Sequence, residues 1–316
     1  MVPLPPYPPA PADLETTLDD KSSPLGASQL AHNKHAVELG KFMKETSATG
    51  EQLTQQDRQT VHFSKKYAMI PGLVVGLTLI DISLDVDMRA KANLGEIQRD
   101  QFQITLNNWD HTNYRYGATG AYLGIEACDP EFQYGGYRAG EDYTWTKTSV
   151  VHNTRPVTFK RAYEAPPKVV VLLNIFDIDH AANWCVKCFA TDLTATGFTM
   201  NIVTGSKTKL SSEMASWIAY PADRLGVASG SFSSLGTRTW MTAQVYNRGF
   251  EPFGSGVFDK PPRVFLALNA LDTSRKQDMR LLVKADNVSA AGMAWHLDTW
   301  ADKTLYSAGS SYIAFS

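Results

Sequence analysis

The sequence predicts an all-β protein made of three antiparallel β-sandwich repeats with a short N-terminal helical extension. Three observations lead there. The stretch MRAKANLGEIQRDQFQITLNNWDHTNYRYGATGAY, residues 88–122, returns twice, beginning near Asn183 and Asp278, with offsets of 95 or 96 residues. That period is too long for a solenoid unit and suits one small domain used three times. From Thr60 onward the chain is a series of short apolar or alternating runs punctuated by Pro-Pro, Thr-Gly and Asp, the texture of antiparallel strands. Finally, each unit of this length can bury a core of its own.

In chain order, the first element is an arm with six prolines in its first eleven positions, which reads as extended polyproline, either a tether or unstructured. Ser28 then caps QLAHNKHAVELGKFMKET, where Leu30, Val37 and Phe42-Met43 fall at roughly helical spacing and a stop follows at 47–50. A helix is expected there. His32 and His35 share one side of it, but with no third ligand they read as solvated. Repeat 1 follows with VHFSKKY, LVVGLTLID, DMRAKANL, QFQITLNN and AYLGIEA. Repeat 2 has PVTFKRAYEAPPKVVVLLNIFD, WCVKCFA, GFTMNIVT and ASWIAY, and repeat 3 has FGSGVFDKPPRVFLALNALD, MRLLVKA, GMAWHLD and SSYIAFS. A further strand, carrying Trp145 or Trp240, precedes repeats 2 and 3, and the helical extension stands in its place before repeat 1. The expected divisions are an extension at 1–59 and repeats at 60–127, 128–222 and 223–316.

Charge and cysteine content narrow the partners. With 30 basic and 32 acidic residues the chain has no strong field for nucleic acid or an anionic membrane. No run of 18 apolar residues is present, so no membrane insertion is expected. The N-terminus has neither the basic nor the apolar region of a secretory signal, which suggests a cytoplasmic protein or one exported without a classical signal. Cys128, Cys185 and Cys188 cannot make a disulfide framework. Cys185 and Cys188 sit in one strand with no second pair to complete a zinc site, so they read as structural, and no metal or cofactor is expected. Asn287-Val288-Ser289 is a glycosylation sequon, silent without secretion.

Residues that recur in all three units are expected to serve the fold. Asp81, Asp177 and Asp272 end the central strand and read as turn formers. Pro71, Pro166-Pro167 and Pro261-Pro262 mark strand entry, and Phe63, Phe159 and Phe253, with Tyr122, Trp217 and Tyr312, read as core. Function is expected where the units differ. Repeat 1 has Arg89, Trp109, Asp110, His111 and Tyr116, and repeat 3 has Arg280, Trp300, Asp302 and Tyr306. Repeat 2 has Cys185, Gly205, Ser206 and Ser211 in the corresponding places. A packed core would not accept Trp to Gly and Arg to Cys together, so these read as surface residues that converge on a ligand. An arginine fork can donate to neighbouring hydroxyls, a histidine or aspartate can fix another, and a flat ring can cover the C–H face of a pyranose. That combination is sugar-binding chemistry.

The run of Phe, Pro-Pro, an apolar strand ending in Leu-Asp or Ile-Asp, Met-Arg, Thr-Gly-Phe, Trp-x-x-Thr and Ser-Trp-Ile-Ala resembles the H-type lectins over about residues 60–316. The resemblance implies a six-stranded sandwich that assembles as a trimer, here an intrachain pseudo-trimer, and binds galactose or N-acetylgalactosamine without a metal. It places the binding arginine on Arg89 and Arg280, the tryptophan on Trp109 and Trp300, and the tyrosine on Tyr116 and Tyr306. The histidine falls on His111, one residue beyond Asp110, and Asp302 stands beside its place in repeat 3. Candidates for an upstream polar anchor are Asp57, Asn153 and Asn247. Repeat 2 is expected not to bind. Expected partners are glycans or glycoconjugates, with further oligomerisation open. The rival readings are a polysaccharide lyase or glycoside hydrolase with one specialised site on this scaffold, using the acid-base groups between Asp110 and Tyr116, and a protein-interaction module.

Overall fold

The structure, a computed structural model, describes residues 37–45, 58–83, 87–107, 114–139, 152–205, 207–301 and 304–316. Strands β1 (Glu38–Glu45), β2 (Arg58–His62), β3 (Gly72–Ile82), β4 (Met88–Ile97), β5 (Gln101–Asn107) and β6 (Tyr114–Ile125) form repeat 1. Repeat 2 has β7 (Gln133–Ala139), β8 (His152–Thr158), β9 (Lys168–Ile178), β10 (Trp184–Thr194), β11 (Gly197–Thr204) and β12 (Leu210–Tyr220). Repeat 3 has β13 (Val227–Ser233), β14 (Arg248–Pro252), β15 (Arg263–Thr273), β16 (Met279–Asp286), β17 (Gly292–Asp298) and β18 (Leu305–Phe315). Among the described residues no helix is long and apolar enough to cross a membrane.

The long central strands β3, β9 and β15 follow Pro71, Pro167 and Pro262, where proline ends the preceding loop. They are almost continuously buried, as near-unbroken Val, Leu and Ile runs demand. The edge strands β2, β8 and β14 alternate exposed and half-buried residues, the period of a strand with one wet face. Within each repeat the recurring aromatics interlock. Phe63 stacks on Phe102 at 5.3 Å, and Phe102 meets Tyr122 edge-on at 4.9 Å. Phe198 meets Trp217 at 5.4 Å, and Phe253 meets Tyr312 at 5.8 Å. These contacts are the core expected for that set.

All three sheets are antiparallel and six-stranded, and each is shared by two repeats. Their orders are β1-β6-β3-β16-β17-β14, β13-β18-β15-β10-β11-β8 and β2-β5-β4-β9-β12-β7. Each repeat therefore supplies one three-stranded half to each of two sheets. The halves join at β3–β16, β15–β10 and β9–β4, three equivalent seams that run head to tail around the molecule and close into a ring. A second core fills the middle, where Leu123, Ile218 and Ile313 come from equivalent positions beside Ile125, Tyr220 and Phe315. The covalent chain thus holds three sandwiches as a pseudo-trimer.

The expected helix is absent where it can be checked. Residues 38–45 form strand β1, which pairs along its whole length with β6. The part of the expectation before Val37, with His32 and His35, lies outside the described residues. Phe42 and Val37 are buried in the two cores, so tertiary pairing overrides the local spacing. β1 occupies the place that β7 and β13 take in the other repeats. Its Gly40 faces Tyr122 as Gly135 faces Trp217 and Gly230 faces Tyr312. At Gly40 even a Cβ would come 2.3 Å from the Tyr122 ring.

Candidate functional site

The seams bring together what the sequence separates. At β9–β4, Arg89 of repeat 1 stands in register with Asp177 of repeat 2. Its Nε donates to Asp177 Oδ1 at 3.0 Å and its Nη2 to Asp87 Oδ2 at 2.9 Å. Asp87 Oδ1 in turn accepts from the backbone N–H of His180 at 3.0 Å, and the His180 ring Nδ1 lies 2.7 Å from it. Burial works to raise the Asp87 pKa, but the two His180 bonds and the Arg89 charge outweigh it and hold the carboxyl below its usual range. Asp87, Asp179 and His180 bring ligating atoms within 4.8 Å of one another. Arg89 and Lys209 lie against the same carboxylates, so the cluster is an ion-pair network across the seam.

At β3–β16 the arrangement recurs in a drier form. Arg280 of repeat 3 is in register with Asp81 of repeat 1, with Nε 3.4 Å from Asp81 Oδ1 and Nη2 3.3 Å from Asp278 Oδ2. The Asp81 side chain is fully buried and that of Arg280 is 7% exposed. A carboxylate so placed is tolerable only when paired, and the pair fixes the plane of the guanidinium. Leu282 stands opposite Asp298. Extending that register by two residues brings Trp300 towards Arg280, and the next residue, Ala301, adopts φ 57°. A left-handed alanine is costly, so its surroundings hold the backbone at Ala301 in place.

The third seam, β15–β10, has lost the arginine. Cys185 is in register with Asp272. Burial pushes the Asp272 carboxyl up to about 6, which the hydrogen bond with Cys185 only partly offsets. Burial first, and then the Asp272 charge, push the Cys185 thiol up to about 12. The surrounding frame is intact. Arg275 N–H donates to Asn183 Oδ1 at 3.2 Å, reproducing the bond that His180 makes to Asp87 one seam away. Gly205 lies against Cys185 at the position where the other repeats carry tryptophan. Cys185 and Cys188 are buried and free, in keeping with a structural role.

Several expectations are corrected by this geometry. Asp81, Asp177 and Asp272 are strand residues facing the neighbouring repeat, not turn formers; a position that must pair with an arginine across a seam recurs as faithfully as a turn does. Arg89 and Arg280 lie within the seams, not on an open surface. Asn247 is fully buried and its amide serves the fold: Nδ2 donates to Leu297 O at 2.8 Å and Gln244 O at 3.2 Å, and Oδ1 accepts from Arg238. It is no ligand group. Asn153 likewise turns to the buried Glu213, whose carboxyl burial raises to about 7. Tyr306 is half-buried on β18, and Trp300 is half-buried beyond β17. Trp109, Asp110, His111, Asp57 and Asp302 lie outside the described residues, and Tyr116 is placed on β6 by its backbone alone. The residues missed were Asp87 and Asp278. A signal for them was present, because Asp-Met-Arg occurs at 87–89 and 278–280 and becomes Asn-Trp-Cys at 183–185.

The model of the H-type lectin domain matches this chain three times, at residues 58–125, 154–220 and 253–315. The chain belongs to the H-type lectin family. Its three repeats are therefore H-type lectin domains, each framed by the strands described above, and the chain is a carbohydrate-binding lectin. No curated protein matches the chain. Among solved structures, recombinant discoidin II of Dictyostelium discoideum is similar at 13% identity and a TM-score of 0.25, covering 58% of this chain and 95% of its own. Wild-type discoidin II is similar at 14% identity and a TM-score of 0.24, covering 57% and 93%. Within these H-type lectin repeats, two seams pair arginine with aspartate and one pairs cysteine with aspartate.

Proposed function

We propose that the chain binds galactose- or N-acetylgalactosamine-type glycans at two of its three seams, through Arg89 and Arg280, and that the seam of Cys185 is silent. The observation that carries this reading is the contrast between seams. Two hold a guanidinium in a fixed plane against a neighbouring repeat's aspartate, and the third keeps the aspartate and has lost the fork. An oriented guanidinium presents a rigid donor edge to vicinal hydroxyls. Trp300 adds a flat apolar face for the C–H side of the ring. Tyr306 and Asp302 complete the set in repeat 3, and Trp109, His111 and Tyr116 take the corresponding roles in repeat 1. Each site draws on two repeats, so a linked pair of modest sites gains avidity on clustered glycans.

A glycan array with the full chain tests this, with the glycans weighed afterwards by mass spectrometry. Terminal galactose or N-acetylgalactosamine should be retained intact. Arg89→Ala and Arg280→Ala should each weaken solution affinity at their own site by roughly tenfold to a hundredfold, the worth of one charge-assisted hydrogen-bonding group. Cys185→Ala should change nothing. Retention unaffected by both arginine substitutions would refute the assignment, and cleaved glycans would make the protein an enzyme.

A further inference from the structure

The outer face of the β16-β17-β14 half-sheet differs from its two counterparts in a way that extends the repeat 3 site. Directly opposite residues in an antiparallel sheet share a face. The rows on this face run Lys284–His296–Arg248 and Asp286–Ala294–Phe250. Pairing continues past the end of β14, where Leu297 N–H donates to Asn247 O and Thr299 N–H to Val245 O, both at 2.9 Å. Tyr246 therefore stands across from Asp298, two residues before Trp300.

Tyr246, Arg248 and Phe250 thus form a stripe that begins beside Trp300 and runs outward along an edge strand. Tyr246 and Phe250 are 62% and 60% exposed, and among the described residues they are the aromatic members of the strongly exposed apolar set. The Arg248 guanidinium lies 5.2 Å from the centre of the Tyr246 ring, which holds that ring on the same face. Behind the rings is a polar floor, with Lys284 Nζ and His296 Nε2 each 3.0 Å from Asp286 Oδ2. The bonds of Arg238 to Asn247 Oδ1, to Tyr306 O at 3.0 Å and to Leu305 O at 2.7 Å pin the loop that carries Tyr246 onto β18. On β8 the places equivalent to Tyr246, Arg248 and Phe250 are His152, Thr154 and Pro156, and on β2 those equivalent to Arg248 and Phe250 are Arg58 and Thr60. None of these carries a phenol, phenyl or indole face, and the His152 ring is bonded to Asn201 Oδ1 at 3.2 Å.

We propose that this stripe is an extended subsite through which repeat 3 binds the sugars beyond the terminal one, so that its ligand is an oligosaccharide and not a single terminal residue. The inference rests on the glycan-binding reading of the Arg280 site, with which the stripe is continuous. At about 3.4 Å per residue, Tyr246 and Phe250 stand roughly 14 Å apart along the strand, longer than one pyranose ring. The chemistry of the face selects the ligand class. A fully apolar partner would have to desolvate Lys284, Asp286 and His296, and a polyanion would meet Asp286 and Asp298. A neutral chain of hydroxylated rings satisfies the donors and acceptors of the floor while its C–H faces cover the two aromatics. Arg248 and Pro252 on the same strand oppose edge-to-edge pairing with another sheet, which argues against a second copy as the occupant.

Calorimetry on the full chain with methyl galactoside, methyl N-acetylgalactosaminide and tri- and tetrasaccharides ending in the same sugars decides it, alongside Tyr246→Ala, Phe250→Ala and the double variant. Both side chains are exposed, so the far-UV spectrum and melting temperature should be unchanged. Wild-type protein should bind the tetrasaccharide about tenfold more tightly than the methyl glycoside, and the double variant should lose that gain while keeping its affinity for the methyl glycoside. Equal affinity for all chain lengths, or a gain that survives the double substitution, overturns the subsite and leaves the lectin reading standing. No binding of any sugar overturns both. If sedimentation shows a wild-type dimer that the double variant breaks, with the length gain untouched, the stripe is a self-association surface and the subsite is wrong.

Discussion

Asp272 shows what one lost partner costs. Its counterparts Asp81 and Asp177 face arginines across their seams, whereas Asp272 faces the weak donor of a thiol. Its pKa rises from 3.8 to about 6. A carboxyl that holds its proton more tightly in the folded chain favours the folded state while it is protonated. That contribution is present at low pH and is lost as pH climbs through about 6, so at neutral pH the ionised group opposes folding. Asp272→Asn removes the effect. We expect the variant to be more stable than wild type at pH 7.5, by on the order of 2 kcal/mol, with the difference shrinking towards pH 4. Urea unfolding at the two pH values measures this. A constant difference across the range would mean that Asp272 is not the titrating group. Glu213, also pushed up by burial, bends the wild-type curve the same way but cancels in the comparison.

At the scale of elements, β1 is the strand that the sequence hides. The central and outer strands of each repeat are legible from their apolar runs and from the recurrence of Phe63, Phe159 and Phe253. Residues 38–45 carry no such mark. Their Leu39, Phe42 and Met43 suit either a helix or a strand, and only the long-range pairing with β6 decides between them. The site was legible in the same partial way. Arg89 and Arg280 stand out because repeat 2 lacks them, but their aspartate partners at the end of an apolar run read locally as turn residues. A pair across a seam leaves no local trace in a chain where the partners lie 88 or 199 residues apart. The stripe of Tyr246 and Phe250 was invisible for another reason, since it depends on which residues of three adjacent strands share a face. β1 can be tested through its close contact. Gly40→Val should favour an extended backbone locally yet destabilise the protein by about 1–3 kcal/mol, because the added carbons collide with the Tyr122 ring. An unchanged unfolding midpoint in urea would show that β1 does not pack on Tyr122 as described.

At the scale of the whole molecule, the ring of three seams gives one chain the architecture of a trimer while releasing its units from identity. Three separate but identical subunits must carry three identical sites. Three linked repeats can keep the seam and change its chemistry one site at a time, and that is the pattern here: two Arg–Asp seams, one Cys–Asp seam, and an aromatic stripe beside a single one of the arginines. The proposed binding requires two sites, one at the Arg89 seam and one at the Arg280 seam. Isothermal titration of the full chain with a galactose- or N-acetylgalactosamine-terminated glycan should give a stoichiometry of two per chain, with one of the two sites weakened by roughly tenfold to a hundredfold in Arg89→Ala and in Arg280→Ala and both weakened in the double variant. A stoichiometry of three, or two sites of unchanged affinity when either arginine is removed, would contradict it.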